Sequence, residues 1–147
     1  MNPWGLPVAE LFPEVQEGHI LVIFDGDCGL CSRAVRFLHA HDRDQRIWFI
    51  AGQSPRAAEL LRQQGVDVEL LQSTLIVWDR KAVFLRSQAS CRAAECLAAP
   101  WSLLRFFRLL PLSWRDGAYK ALAARRHRLF KPLCQLPAAS LRQRILS

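Results

Sequence analysis

The sequence predicts an α/β protein in which helices flank a mixed β-sheet, and three observations lead to this fold class. An unbroken apolar run, Ile20–Phe24, is typical of a strand buried on both faces. The apolar residues of the next segment, 29–41, recur near helical spacing. Two later apolar runs are separated by only three residues and should pair as a hairpin. With 147 residues, 51% of them hydrophobic, the chain is long enough for one domain with a core.

The first half of the chain should form strand, helix, strand and helix in turn. The first strand is followed by a helix over Gly29–His41, and Arg46–Ala51 (RIWFIA) predicts the second strand. Ser54 can serve as the N-cap of a helix with Pro55 at its first position, and Gly65 is a plausible stop for that helix.

The next two strands should be antiparallel. Thr74–Trp78 (TLIVW) and Ala82–Arg86 (AVFLR) are joined by residues 79–81, a connection only long enough for a hairpin. Ser87 can then cap a helix that runs to about Ala98. The complete order is βαβ-α-ββα, a mixed sheet with helices on its faces.

The flanking segments differ in character from this α/β domain, which we place at residues 19–99. Residues 1–18 form a proline-rich leader that we expect to be poorly ordered. Residues 100–147 form a basic helical extension with ten Arg and Lys and one acidic residue. We expect it to contain two helices, Trp101–Leu110 and Ser113–Phe130, whose apolar stripes pack on the sheet domain.

A CxxC pair lies where the first strand meets the first helix. Cys28 falls in the turn, and Cys31 lies three residues on, about one turn into the helix and on nearly the same face. The exposed N–H groups and the macrodipole of a helix N-terminus stabilise a thiolate, so the pKa of Cys28 should fall below its free value. Cys28 is therefore the expected attacking thiol and Cys31 the resolving thiol.

Two aspartates accompany the pair. Asp25 could accept the proton of Cys31, or it could cap the helix by accepting backbone N–H bonds; both roles stay open. A cap is the expected role of Asp27. Both carboxylates oppose thiolate formation by like charge, and no histidine lies between the cysteines. We therefore expect a moderate to reducing potential.

The element order and the position of the CxxC pair resemble the thioredoxin fold. Several segments point to a closer relationship: Ile20–Cys31 (ILVIFDGDCGLC) with Val35 and Leu38, Ser73–Val77 (STLIV), Arg86, Ser87 and Ala89, Pro100 and Trp101, and Arg115–Phe130 (RDGAYKALAARRHRLF) with Cys134. Through these segments the chain resembles the DCC family of predicted thiol-disulfide oxidoreductases over about residues 19–137. The resemblance implies that a thioredoxin-like domain exchanges a dithiol and disulfide at Cys28 and Cys31 with a protein or small-thiol partner.

One position departs from ordinary thioredoxins, which hold peptide substrates beside a cis-proline before the third strand. Here Gln72, Ser73 and Thr74 precede that strand, with no proline. Either Thr74 offers its backbone to the substrate in place of that site, or it only packs in the strand.

The same motif allows two other chemistries. In haloacid-dehalogenase-like phosphatases a strand ends in DxDx[TV], so Asp25 would attack phosphorus and Asp27 would act as acid and base. Gly29 stands where Thr or Val is needed, and few acids follow that could hold Mg²⁺. A structural zinc site could combine Cys28 and Cys31 with Cys91 and Cys96, but the last two lie about 140° apart around a helix.

Composition bounds the partners and the compartment. The basic extension could contact an anionic membrane surface, whereas its aromatic residues mostly fall at helix spacing, so we do not expect nucleic-acid binding. Five sparse cysteines and the lack of a recognisable signal segment favour a reducing, cytoplasmic compartment. The proposed chemistry needs no cofactor. Neither the roles of Cys91, Cys96 and Cys134 nor the oligomeric state follows from the sequence.

Overall fold

The computed structural model describes residues 7–25, 29–72, 74–129 and 143–146. It consists of α-helices, two 3₁₀-helices and five β-strands within the described residues. In chain order they are α1 (Val8–Leu11), β1 (Ile20–Phe24), α2 (Gly29–His41), β2 (Ile47–Ala51), α3 (Pro55–Gln63), a first 3₁₀-helix (Val68–Gln72), β3 (Ile76–Trp78), β4 (Val83–Leu85), α4 (Arg86–Ala94), a second 3₁₀-helix (Trp101–Leu109), α5 (Leu112–Leu129) and β5 (Ile145–Leu146).

The strands form one mixed sheet in the order β4-β3-β1-β2-β5. β1 pairs parallel with β2, from Ile20 opposite Ile47 to Phe24 opposite Ala51. β3 runs antiparallel to β1 and forms the predicted hairpin with β4. This sheet, with helices on both faces, confirms the predicted fold class and is consistent with a thioredoxin-like fold.

The central strand β1 is buried on both faces, as its unbroken apolar run predicts. Alternate side chains enter two separate cores. Ile20, Val22 and Phe24 pack in a core with Val35 and Leu38 of α2 and with apolar residues of α4. Leu21 and Ile23 pack on the opposite face with residues of α3 and of the segment before β1.

The expectation of a poorly ordered leader is wrong for residues 7–18. Phe12 and Val15 are fully buried, and the Phe12 ring packs against Trp78 with 5.7 Å between centroids. Arg56 of α3 holds the segment in place because its Nε donates to the Leu11 carbonyl at 3.1 Å. Its guanidinium carbon also lies 4.7 Å from the centre of the Phe12 ring. Residues 7–18 of the leader therefore close one face of the sheet.

Neither α3 nor α4 begins with a side-chain cap, although Ser54 and Ser87 were predicted to provide one. Ser54 and Pro55 occupy the predicted start of α3, and Gly65 follows its end with a φ of +68°, the left-handed region that glycine adopts readily. The prediction for α4 is wrong in its boundaries: the helix begins at Arg86 and ends at Ala94. Ser87 does not cap it, because its hydroxyl donates instead to Asp116 Oδ1 at 2.5 Å.

Many apolar side chains of the C-terminal extension are more exposed than the predicted stripes would be, although Trp101 packs edge-on against Phe37 of α2 with 5.0 Å between ring centroids. The second 3₁₀-helix contains no buried residue, and its Leu109 is 83% exposed. On α5, Trp114 is 73% exposed. Near the end of the chain, β5 adds an unpredicted strand parallel to β2. No helix within the described part of the chain is long and apolar enough to cross a membrane.

The hairpin turn between β3 and β4 depends on Asp79. Its Oδ1 accepts N–H bonds from Lys81 at 3.0 Å and Ala82 at 2.9 Å. Its Oδ2 accepts one from Arg92 Nε at 3.3 Å. Partial burial raises the pKa of the Asp79 carboxyl, but these three donors together outweigh burial and hold the pKa below its ordinary value.

We therefore expect the Asp79 carboxylate to stabilise the fold in a pH-dependent way. A lowered pKa in the folded state contributes stability above the unfolded pKa of about 4, and this stability is lost as the pH falls through the folded value. Asp79→Asn should lower the free energy of unfolding by about 1 kcal/mol at pH 7. The difference from wild type should shrink below about pH 4 in urea titrations. A difference that stays constant from pH 7 to pH 2 would contradict this role.

Candidate active site

Five segments meet at one edge of the sheet. The carboxyl ends of β1, β2 and β4 and the amino end of the antiparallel β3 all lie there. The thirteen-residue helix α2 starts beside the end of β1, and Cys31 is its third residue. Cys28, Asp27 and Cys134 lie outside the described residues. The predicted site can therefore be assessed through the backbone at Cys31 and through Asp25 and Thr74.

Asp25 follows β1 directly and is partly buried. Its Oδ1 accepts a hydrogen bond from Gln53 Nε2 at 3.1 Å. Gln53 follows β2, and the preceding Gly52 continues the ladder by donating its N–H to the Phe24 carbonyl at 2.8 Å. A Cβ at residue 52 would collide with the Leu71 side chain, so any larger residue would force Leu71 to move. Gln53 is not among the residues predicted from the sequence, where the adjacency of β1 and β2 was the available signal for it.

Thr74 lies at the same edge as Asp25. The β1–β3 ladder ends with Ile23 opposite Ile76, so Asp25 and Thr74 both lie two residues beyond its last pair, at the same end of the sheet. Thr74 is buried, and its N–H donates to the Leu70 carbonyl at 2.9 Å. Its hydroxyl oxygen accepts the N–H of Arg86 at 2.9 Å. The two candidate residues thus lie at the same end of the sheet, and the Thr74 hydroxyl is engaged in hydrogen bonds of the fold.

Tyr119 of α5 is a further residue of this edge that sequence reasoning missed. Its hydroxyl accepts the Leu75 N–H at 3.0 Å and lies 3.1 Å from Thr74 Oγ1. One arrangement of protons satisfies the whole cluster: Tyr119 donates to Thr74, and Thr74 donates to the Leu75 carbonyl. The available signal in the sequence for a role of Tyr119 was that it is the only tyrosine in the chain and lies among Ala, Lys and Arg residues. Through it, the C-terminal extension supports the start of β3.

Removing the Tyr119 hydroxyl should destabilise the fold. In Tyr119→Phe the buried Leu75 N–H loses its acceptor, so the free energy of unfolding should fall by about 1–3 kcal/mol. Urea unfolding followed by circular dichroism measures this change. Ser113→Ala removes an exposed hydroxyl from the same helix and should change stability by less than about 0.5 kcal/mol. Equal effects of the two substitutions would contradict the role assigned to Tyr119.

Cys91 and Cys96 are buried free thiols. Burial raises the pKa of Cys96 above its ordinary value, which keeps this thiol protonated at neutral pH. Each sulfur also has a guanidinium neighbour: Arg115 Nη1 lies 3.7 Å from Cys91 Sγ, and Arg92 Nη1 lies 3.9 Å from Cys96 Sγ. A metal ion bound to either sulfur would lie next to a positively charged guanidinium group, which would repel it. Among the described side chains, no three His, Cys, Asp or Glu converge on a metal position.

Comparison with known proteins gives consistent matches over most of the chain. The sequence model of the DCC1-like thiol-disulfide oxidoreductase family matches residues 22–132. The uncharacterized protein YuxK of Bacillus subtilis (strain 168) is 33% identical over 128 residues, which cover 86% of this chain and 93% of that protein. The DCC family protein At1g52590, chloroplastic, of Arabidopsis thaliana is 32% identical over 128 residues, or 86% of this chain and 73% of that protein. No solved structure gives a significant match.

Proposed function

Because the chain belongs to the DCC1-like thiol-disulfide oxidoreductase family, it is a redox enzyme that acts on a thiol or disulfide, and we propose that Cys28 and Cys31 are its redox pair. The observation that carries the proposal is the position of Cys31 in the first turn of α2, directly after the central strand β1. Cys28 immediately precedes that helix in the sequence.

The proposed reaction passes two electrons from the protein to a disulfide substrate. The Cys28 thiolate attacks one substrate sulfur, a mixed disulfide forms, and the other substrate sulfur leaves as a thiolate. Cys31, deprotonated, then attacks the Cys28 sulfur and releases the second substrate thiolate. Cys28 and Cys31 end as a disulfide, and the two protons that they lost pass to the two substrate thiolates. The reverse sequence oxidises a dithiol.

The start of α2 supports Cys28 as the attacking thiol. The N–H groups and macrodipole of a thirteen-residue helix stabilise a thiolate at its amino end. Asp25, at the same edge, is the proposed proton acceptor for Cys31, and its hydrogen bond from Gln53 fixes the carboxylate position. A purely capping role is the alternative for Asp25 and is our proposal for Asp27.

Thr74 is the proposed backbone contact for substrate. In thioredoxins the residue at this place lies beside a cis-proline, which this chain lacks. The Thr74 N–H is already bonded to Leu70, so the contact falls to the Thr74 carbonyl. The Tyr119 and Arg86 hydrogen bonds to the Thr74 hydroxyl would hold that carbonyl in place for a peptide substrate.

We propose a reducing compartment such as the cytoplasm. Cys91 and Cys96 are buried as free thiols, which is typical of proteins kept in a reducing environment. Cell fractionation with a tagged full-length chain tests this, and recovery in an oxidising compartment would contradict it.

Trapping of the mixed disulfide tests the proposed pair. When Cys31→Ser is mixed with glutathione disulfide or a disulfide-containing protein, Cys28 should form a stable mixed disulfide with one substrate sulfur. A reductant should release the bound substrate. The matched control is the double variant with Cys28→Ser and Cys31→Ser, which should trap nothing. If Cys31→Ser also traps nothing and wild-type protein purified without chelator holds stoichiometric zinc, the proposal fails in favour of a structural zinc site.

A further inference from the structure

The second 3₁₀-helix, Trp101–Leu109, has three distinct faces. A 3₁₀-helix has three residues per turn, so residues three apart lie one above another. Leu103, Phe106 and Leu109 form one row, and these side chains are 56%, 52% and 83% exposed. We call this row the outer row. Arg105 and Arg108 lie on the next face, so apolar and cationic rows run side by side along the helix.

The third face opens onto a groove. Leu104, Phe107 and Leu110 line a cavity of about 400 Å³ together with Trp114 of α5 and with Cys91 of α4. The groove side chains of the 3₁₀-helix remain 38–52% exposed. The outer row and the groove thus make one apolar surface on the C-terminal extension, rather than scattered exposed side chains. We call the two together the apolar surface.

Arg105 and Arg108 on the 3₁₀-helix and Arg115 at the groove lie beside the apolar surface. Residues 101–129 contain seven Arg and Lys, and Asp116 is their one acid. The Asp116 carboxylate accepts a hydrogen bond from the Ser87 hydroxyl. On the 3₁₀-helix, Arg108 forms a salt bridge with Glu95 at 2.8 Å. The Arg105 guanidinium lies 5.2 Å from the centre of the Phe106 ring. Apolar side chains, a tryptophan and arginines together match the interface of a bilayer with anionic headgroups.

We propose that the apolar surface docks this enzyme on anionic lipid membranes. The 3₁₀-helix would lie in the plane of the interface, with the outer row inserted among the acyl chains and the arginines against the headgroups. At about 2 Å per residue, its nine residues reach roughly 18 Å, too short to span the hydrocarbon core. A second copy of the chain is a poorer occupant, because it would bring two strongly basic surfaces together. The inference does not depend on which thiols react.

The same extension connects this surface to the candidate active site. Tyr119 lies on α5 five residues after Trp114 and bonds to Leu75 and the Thr74 side chain. Docking would therefore hold the end of the sheet that carries Asp25, Cys31 and Thr74 at a fixed position relative to the bilayer. A membrane-docked enzyme of this kind would meet thiols or disulfides of proteins at the membrane surface.

Vesicle flotation of the full-length protein tests the proposal. The protein should float with vesicles of phosphatidylcholine containing 30% phosphatidylglycerol and remain at the bottom with pure phosphatidylcholine. Leu109→Asp should lower the partition coefficient at least about tenfold, since a leucine that is 83% exposed on the protein and would insert into the bilayer is replaced by a charge. Val68→Asp changes an apolar side chain that is 43% exposed outside the extension and should leave binding unchanged. Raising the salt concentration should weaken binding by screening the arginines.

Three results would overturn the proposal. The first is absence of binding to the phosphatidylglycerol vesicles at low salt. The second is equal binding by Leu109→Asp and Val68→Asp with both variants folded by circular dichroism. The third is a wild-type dimer in sedimentation velocity that Leu109→Asp converts to a monomer, which would assign the apolar surface to a second copy.

Discussion

Replacing Cys28 with serine is expected to abolish disulfide exchange. A serine hydroxyl is not ionised near neutral pH and forms no disulfide, so neither the attack nor the mixed disulfide can occur. The rate of glutathione disulfide reduction should fall by about 10³-fold or more. Cys31→Ser should keep the first step and lose turnover, giving a single burst of thiolate release. The measurement is a stopped-flow assay of thiol release followed by steady-state turnover.

Cys91→Ala is the control for this prediction. Cys91 is 6% exposed and contacts Arg115, so its removal should cost some stability and leave the exchange rate unchanged. A Cys28→Ser enzyme that retains turnover would contradict the assignment of Cys28 as the attacking thiol. Loss of turnover in Cys91→Ala, with the fold intact, would place the reacting thiol in α4.

Replacing Phe12 with alanine is expected to lower the free energy of unfolding by about 3–5 kcal/mol. Phe12 is fully buried against Trp78 and beneath the Arg56 guanidinium, so truncation opens a cavity between the leader and the sheet. Urea unfolding monitored by tryptophan emission measures the change, because Trp78 reports on the same core.

An exposed apolar residue gives the comparison for Phe12. Val68→Ala should change stability by less than about 0.5 kcal/mol, because Val68 is 43% exposed. A Phe12→Ala variant as stable as Val68→Ala would mean that the leader contributes nothing to the fold. It would then restore the expectation of a poorly ordered leader.

Short-range patterns predicted the sheet well. The apolar run of β1, the stop at Gly65 and the three-residue hairpin connection each follow from local chemistry, and the structure confirms all three. β3 begins at Ile76 rather than at the predicted Thr74 because of contacts that no local pattern contains. The Thr74 N–H donates to the Leu70 carbonyl and the Leu75 N–H donates to the Tyr119 hydroxyl. Neither N–H is therefore available for pairing between strands, although the apolar run alone predicts that the strand includes both residues.

The missed features depend on distant partners. The leader carries Leu11, Phe12 and Val15 among prolines and glutamates with no helical or strand period, and Arg56 and Trp78 decide its order. Gln53 and Tyr119 reach the candidate site only because the sheet and α5 bring them to Asp25 and Thr74. The second 3₁₀-helix was predicted to pack on the core, but three residues per turn divide its apolar side chains between two faces.

Redox equilibration with site-resolved detection tests the central claim most directly. The full-length protein is equilibrated in glutathione buffers of graded potential, quenched in acid, alkylated and mapped by peptide mass spectrometry. The proposed function predicts one two-electron transition that joins Cys28 to Cys31, at a potential more negative than about −120 mV. Cys91 and Cys96 should be recovered as thiols at every potential. Cys28 and Cys31 remaining thiols throughout, or a disulfide joining either of them to another cysteine, would contradict the claim.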